Sequence, residues 1–206
     1  MRRVLLAVAV SALIAGAYAQ WNVIIIQSQG VLNPGGVQTS VPAQVFVNPL
    51  PQVTFLTAAG NPHPILVGDG TSFTNASYSA TYRIQATAGG QLTGFNFVIS
   101  AFLQGSAQIT WQKKVVRTAD NAILYNQTDT ITGSGPIVVS LPVSLPAPAS
   151  DVTVYEDFSL SISGPAPGTD TASLLLVQQD WVPEPASLLA LGAGLAGLIG
   201  LRRRIR

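Results

Sequence analysis

Cysteine is absent from this 206-residue sequence, histidine occurs once, and charged side chains make up only 9% of it. Each shortage removes a class of chemistry. Without cysteine there is no disulfide, no thiolate metal site and no cysteine nucleophile. The single imidazole, His63, lies in Asn61-Pro62-His63-Pro64. A catalytic triad needs a base held by an acid beside a nucleophile, and a metal centre usually needs several imidazole or thiolate ligands. One loop histidine supplies neither, so no catalytic residue is assigned, the chain is read as not an enzyme, and no metal or other cofactor is expected. The charges present are also segregated. Six of the ten basic residues stand at the termini, while the middle keeps Arg83, Lys113, Lys114 and Arg117 against eight acids. Such a balance has no electrostatic footprint for nucleic acid. Ser, Thr, Gln and Asn fill the polar positions instead, as on the solvent face of a weakly charged β-sheet.

The termini carry the clearest patterns. Arg2 and Arg3 precede Val4–Gly16, thirteen residues in which Ser11 is the one polar side chain. Ala17-Tyr18-Ala19 then places Ala17 and Ala19 at the two small-residue positions that signal peptidase reads, so residues 1–19 read as a cleavable signal peptide. At the other end, residues 186–201 (ASLLALGAGLAGLIGL) are sixteen uncharged residues. As a helix they would cover about 24 Å at roughly 1.5 Å per residue. That is short of a hydrocarbon core of about 30 Å, a gap that snorkelling arginines and local thinning can close. The expectation is a transmembrane helix over 186–201 held in membrane lipid. Arg202, Arg203, Arg204 and Arg206 form its stop-transfer cluster on the cytoplasmic side. Gly192, Ala196 and Gly200 share one face of such a helix.

Pro183-Glu184-Pro185 stands immediately before the apolar run. The tail 182–206 resembles the PEP-CTERM sorting signal of envelope proteins in exopolysaccharide-making bacteria: a Pro-Glu-Pro motif, a short Gly- and Leu-rich span, and terminal arginines, here interrupted only by Ile205. The resemblance covers the tail alone. It implies processing by an exosortase, a membrane enzyme that would recognise Pro183, Glu184 and Pro185 and would supply the catalytic residues itself. The chemistry of the motif suits that role. Each proline lacks an N–H and restricts its predecessor to extended backbone, which a protease-like cleft can bind. Glu184 is then a lone negative charge at the outer interface.

The middle, residues 20–181, alternates with a period of two. Val152, Val154, Phe158, Leu160 and Ile162 fall on one side of a strand, interrupted by Glu156; Ile109 and Trp111, and Phe95, Phe97 and Ile99, repeat the pattern. Ile24–Ile26 reads as a strand buried on both faces. Between these lie Gly-, Pro- and Asn-rich connectors such as Asn33-Pro34-Gly35-Gly36 and Gly133–Pro136. About eight to ten strands without an amphipathic helix predict an all-β domain, an antiparallel β-sandwich with a jelly roll as the near variant.

Candidate chemistry within this domain is sparse. Glu156 and Asp157 are adjacent on a strand and point to opposite faces, so they cannot form the facing carboxylates of a glycosidase, which stand about 5 to 9 Å apart. A strand-end or edge position exposing Glu156 is expected. Asp69 and Asp120-Asn121 read as turns and lack EF-hand spacing. Thr128, Thr130 and Thr132, and Ser159, Ser161 and Ser163, read as solvent-face rows. Asn75-Ala76-Ser77 and Asn126-Gln127-Thr128 match the N-glycosylation pattern. The expectation is an exported, membrane-anchored protein of the envelope or extracellular matrix, sorted by an exosortase, with a structural or interaction β-domain. The alternatives are a carbohydrate-binding or carbohydrate-acting module on the same anchor, with exopolysaccharide as its ligand, and a type I membrane protein that is never processed. Cleavage after Ala19 predicts that amino-terminal sequencing of the exported protein reads Gln20-Trp21-Asn22; a mature chain retaining Arg2 and Arg3 would refute it.

Overall fold

The computed structural model describes residues 21–48, 50–87 and 89–184. The signal-peptide positions Ala17 and Ala19, the third motif residue Pro185, the apolar run 186–201 and Arg202, Arg203, Arg204 and Arg206 lie outside them. Twelve strands occur among the described residues, more than the sequence suggested. They are β1 (Trp21–Asn33), β2 (Val37–Ser40), β3 (Ala43–Phe46), β4 (Gln52–Phe55), β5 (Leu66–Gly68), β6 (Asn75–Ala86), β7 (Leu92–Gln104), β8 (Gln108–Arg117), β9 (Ile123–Ile131), β10 (Gly135–Ala149), β11 (Asp151–Ser161) and β12 (Thr171–Pro183). No α-helix occurs among the described residues, and none of their helices is long and apolar enough to cross a membrane.

The strands form two antiparallel sheets packed face to face, a β-sandwich. The first has the order β2-β1-β6-β11-β8-β9; the second runs β10-β7-β12-β4-β3, with β5 pairing β12 beside β4. The predicted alternation sets the core. Tyr78, Tyr82, Trp111, Val154 and Phe158 point inward from the first sheet, and Phe55, Phe95, Phe97, Val177 and Trp181 from the second; all are buried. At about 25 cal/mol per Å² of apolar area removed from water, burial of these large side chains is the main stabilising term. One edge of the second sheet is protected by composition. β10 carries Pro136, Pro142, Pro146 and Pro148 and pairs only with β7 along its length. A strand with that many missing N–H donors can occupy an edge, where it also blocks pairing with another chain.

Two irregularities change the inward phase along long strands. In β1 the register with β6 shifts between Ile25 and Gln27. Trp21, Val23 and Ile25 face inward before the shift, and Ser28, Gly30 and Leu32 after it. The expected doubly buried strand at Ile24–Ile26 is therefore corrected: Ile24 and Ile26 are exposed and the apolar run marks a bulge. In β12 a shift between Leu174 and Leu176 moves the inward phase from Ala172 and Leu174 to Val177, Gln179 and Trp181. One glycine is required by packing. Gly68 has φ +96°, and a Cβ there would lie 1.8 Å from the carbonyl oxygen of Asp170.

Candidate functional site

Three places concentrate polar chemistry: the interior between the sheets, the outer face of the first sheet, and the end of β12.

The interior site departs most from the sequence reading. Glu156 sits on β11, between β6 and β8, at 1% exposure, and not at an edge or strand end as expected. The alternation of β11 drives it inward with Val154 and Phe158, and the residue opposite it across the ladder is Lys113 on β8. Lys113 is itself fully buried, and its Nζ donates to Glu156 Oε1. Around the ammonium lie the rings of Phe97 and Phe95, with centroids 4.3 and 5.0 Å from Nζ. These rings face a cation with their negative π-surfaces. The second sheet adds Gln179, fully buried on β12. Its amide lies close enough to Glu156 to favour the carboxylate, yet neither amide atom makes a hydrogen bond of good geometry. Glu156 Oε2, Tyr82 Oη and Trp181 Nε1 are likewise buried without such a partner.

Burial controls the ionisation of this cluster. It pushes the Glu156 carboxyl above the usual carboxylate range, against the opposing pull of Lys113, and pushes the Lys113 ammonium below its ordinary value, against the pull of Glu156. Both shifts favour the uncharged forms. Burial also raises the Tyr82 hydroxyl, and the nearby Glu156 adds to that shift. Sequence reasoning missed Lys113 and Gln179. Their signal was available in the alternations Trp111-Lys113-Val115 and Val177-Gln179-Trp181, where a long polar side chain holds an apolar phase.

The outer face of the first sheet is polar and weakly charged. Tyr155 on β11 is 42% exposed, and Lys114 on β8, its partner across the ladder, holds Nζ 5.9 Å from the ring centroid. Ser79 donates to Asp157 at 2.7 Å, and Thr110 and Thr130 share a hydrogen bond of 3.1 Å. Gln112, Lys114, Asn121, Ile123, Tyr155 and Asp157 line an open groove there. The three tryptophans contribute nothing to this surface, since Trp21, Trp111 and Trp181 are all buried, Trp111 as the sequence implied. Thr128, Thr130 and Ser159 are exposed, as expected of solvent-face rows.

The other sequence candidates fall in loops. His63 is exposed, its ring edge-on to Phe73 at 5.5 Å. Asp69 occupies a turn, and Asp120 closes another by accepting from Arg117 Nε and the backbone N–H of Ala122. Among the described residues, no three His, Cys, Asp or Glu side chains gather in a group that could hold a metal ion. Asn75 and Asn126, which begin the two glycosylation patterns, are both exposed.

At the end of β12 the sheet runs straight into the Pro-Glu-Pro motif. Val182 pairs with Gly94 and Pro183 with Leu92 of β7. The Thr93 hydroxyl donates to the carbonyl of Val182 at 3.1 Å, and the backbone N–H of Glu184 donates to the carbonyl of Gln91 at 2.7 Å. Pro183, still within the strand, and Glu184 just after it are thus half-buried and tied to the rim of the second sheet. The boundary expected after residue 181 lies inside a strand that continues to Pro183. Over residues 182–204 the chain matches the family profile of the PEP-CTERM protein-sorting motif. The tail is a PEP-CTERM sorting signal. That signal marks an exported protein whose membrane-anchored sorting passes through an exosortase.

The β-domain carries no comparable signature. No curated protein matches the sequence. Among solved structures, the enzymatically active domain of tailspike protein 4 from bacteriophage CBA120 is 12% identical, with a TM-score of 0.36 over 77% of this chain, which spans only 19% of the tailspike structure. TmCBM61 in complex with β-1,4-galactotriose is 10% identical, covering 80% of this chain and 90% of its own at a TM-score of 0.33. The carbohydrate-binding module CBM36 in complex with calcium and xylotriose is 11% identical, covering 76% and 100% at 0.27. Likenesses this distant carry no argument about ligand or activity.

The interior cluster generates a stability prediction. Lys113→Met leaves Glu156 buried with no cationic partner, and breaking a buried pair in this way costs about 3–5 kcal/mol. Urea unfolding of the variant should show a loss of that size, whereas Lys114→Met, on the solvent face of the same strand, should stay within about 0.5 kcal/mol of the wild type.

Proposed function

We propose that this chain delivers a non-enzymatic structural or interaction β-domain to the cell envelope or extracellular matrix, and that its tail holds it in the cytoplasmic membrane until an exosortase processes it. The observation that carries this reading is the union of β12 with the sorting signal. No linker separates the sandwich from Pro183, so the motif begins in extended backbone at the rim of the domain and directly precedes the apolar run in sequence. An extended backbone is the form a protease-like enzyme binds, and Glu184 gives it one charge to read. Signal peptidase removes the leader, membrane lipid holds the span, and the main domain stays outside the cytoplasm throughout. Glu184→Ala separates this reading from that of a permanent anchor. It leaves the apolar run and the arginines intact, so insertion continues while processing stops. On gels of protein from the native host, the wild type should shift to a smaller form only when the exosortase is present, and Glu184→Ala should not shift. Full-length protein retaining Arg206 in wild-type cells would overturn it.

A second reading rests on the groove beside Tyr155. An exposed ring flanked by Gln112, Asn121 and Asp157 offers a stacking platform with amide and carboxylate partners, the combination that holds a sugar ring, and exopolysaccharide from the same cell is the ligand of choice. Against it stands the lack, among the described residues, of a row of exposed aromatics on this face. Tyr155→Ala should weaken retention of the protein in an exopolysaccharide affinity gel by about tenfold, the equivalent of roughly 1.4 kcal/mol. Identical mobility of the two proteins would remove this reading and leave the structural one.

A further inference from the structure

A lysine and a glutamate sealed together in an apolar interior are an unusual construction for a protein with few charges. Desolvating the two ions costs several kcal/mol each, and a hydrophobic pair of similar volume would serve packing at least as well. Lys113 and Glu156 are directly opposite across the β8–β11 ladder, so their Cβ atoms are about 4.5–5.5 Å apart and their side chains share one direction. Nζ meets the carboxyl group, both side chains are fully buried, and the rings of Phe97, Phe95 and Tyr82 surround the ammonium. These are the requirements for a reaction between the two groups and not merely an attraction.

We propose that Lys113 and Glu156 are the partners of an intramolecular cross-link, an amide between Nζ and the Glu156 Cδ, which the folded core forms by expelling one water. The balance is simple. The uncharged amine attacks the uncharged carboxylic acid, the Nζ–Cδ bond forms, and a Cδ–O bond breaks. The departing hydroxyl takes one amine proton and leaves as water, with no oxidant, reductant or co-substrate. Burial moves both groups toward the uncharged forms that this step needs. Holding the two groups in contact supplies effective concentrations on the order of 10⁵–10⁸ M, and the dry interior opposes the reverse hydrolysis. The Gln179 amide lies beside the carboxyl without a hydrogen bond of good geometry of its own, a donor available to the negative charge that develops on the carboxyl oxygen during attack. The product removes two buried charges and ties residues 43 apart in sequence. In an exported domain without cysteine, such a tie acts as a disulfide would, by restricting the unfolded chain.

The test is the mass of the full chain, purified folded and then denatured, together with a peptide map. The expected mass is one water below that of the mature sequence, with a branched peptide joining the segment around Lys113 to that around Glu156. Lys113→Arg and Glu156→Ala chains should keep their full mass. The map is needed because cyclisation of an amino-terminal Gln20 would remove an ammonia elsewhere. Wild-type protein that unfolds cooperatively, weighs its full mass and yields Lys113 and Glu156 only in linear peptides overturns the proposal. So does a branch at Gln179 formed with loss of ammonia, which would make Glu156 the proton carrier and not the partner. The wild-type result decides even where a variant fails to fold.

Discussion

Lys113 meets Glu156 in the layer between the two sheets, and the rest of that layer is arranged around the contact. Apolar packing supplies most of the stability of any sandwich, but it does not distinguish one register from another when most inward residues are interchangeable hydrophobes. A buried ionisable pair does. A slip of one residue between β8 and β11 would turn one partner to solvent and strand the other in the core. The surrounding aromatic rings of Phe95, Phe97, Tyr82 and Trp181 come from both sheets, so the same contact also constrains how the sheets face each other. The bulge in β12 belongs to this arrangement. Without the extra residue near Leu175, Gln179 and Trp181 would point outward and the cluster would lose its contribution from the second sheet.

The same strand connects the core to the sorting signal. β12 buries Trp181 in the interior, and two residues later Pro183 is the first residue of the Pro-Glu-Pro motif. Folding of the sandwich and presentation of the motif are therefore properties of one continuous strand. The bond from the Thr93 hydroxyl to the Val182 carbonyl and the backbone bond from Glu184 to Gln91 hold Pro183 and Glu184 against the rim. They are few and partly exposed, the kind that open locally at low cost. An enzyme reading this segment would compete with the rim of the sheet and not with the core.

Much of this molecule was legible in one dimension because its signals are local. A period of two identifies strands wherever one face is buried, and it placed Trp111, Phe97, Val154 and Phe158 inside. The sorting signal was legible because membranes and processing enzymes read linear stretches: an apolar run, a charge cluster, two prolines around a glutamate. The glutamate at 156 shows where this kind of reading stops. Its position on the apolar phase of β11 was visible in the sequence. That it has a cationic partner was not, because the partner is 43 residues away and reaches it only through strand pairing. An unpaired carboxylate belongs at an edge, and the local rule therefore sent it there. The triple isoleucine of β1 misled for a related reason. A run of three apolar residues is compatible with burial on both faces or with a bulge, and only the pairing with β6 selects the bulge.

The sequence by itself determined that the domain is all-β and cysteine-free, that polar uncharged residues cover its surface, and that its tail is a sorting signal, because each of these follows from composition or from contiguous spacing. The tertiary structure decided which polar residues are inside, that Lys113, Glu156 and Gln179 converge between the sheets, that Tyr155 stands over a groove, and that Pro183 and Glu184 are tied to the rim of the second sheet. Those outcomes depend on which strands become neighbours. Strand pairing is set by burial of the whole inner layer at once, and no single segment of the chain encodes it.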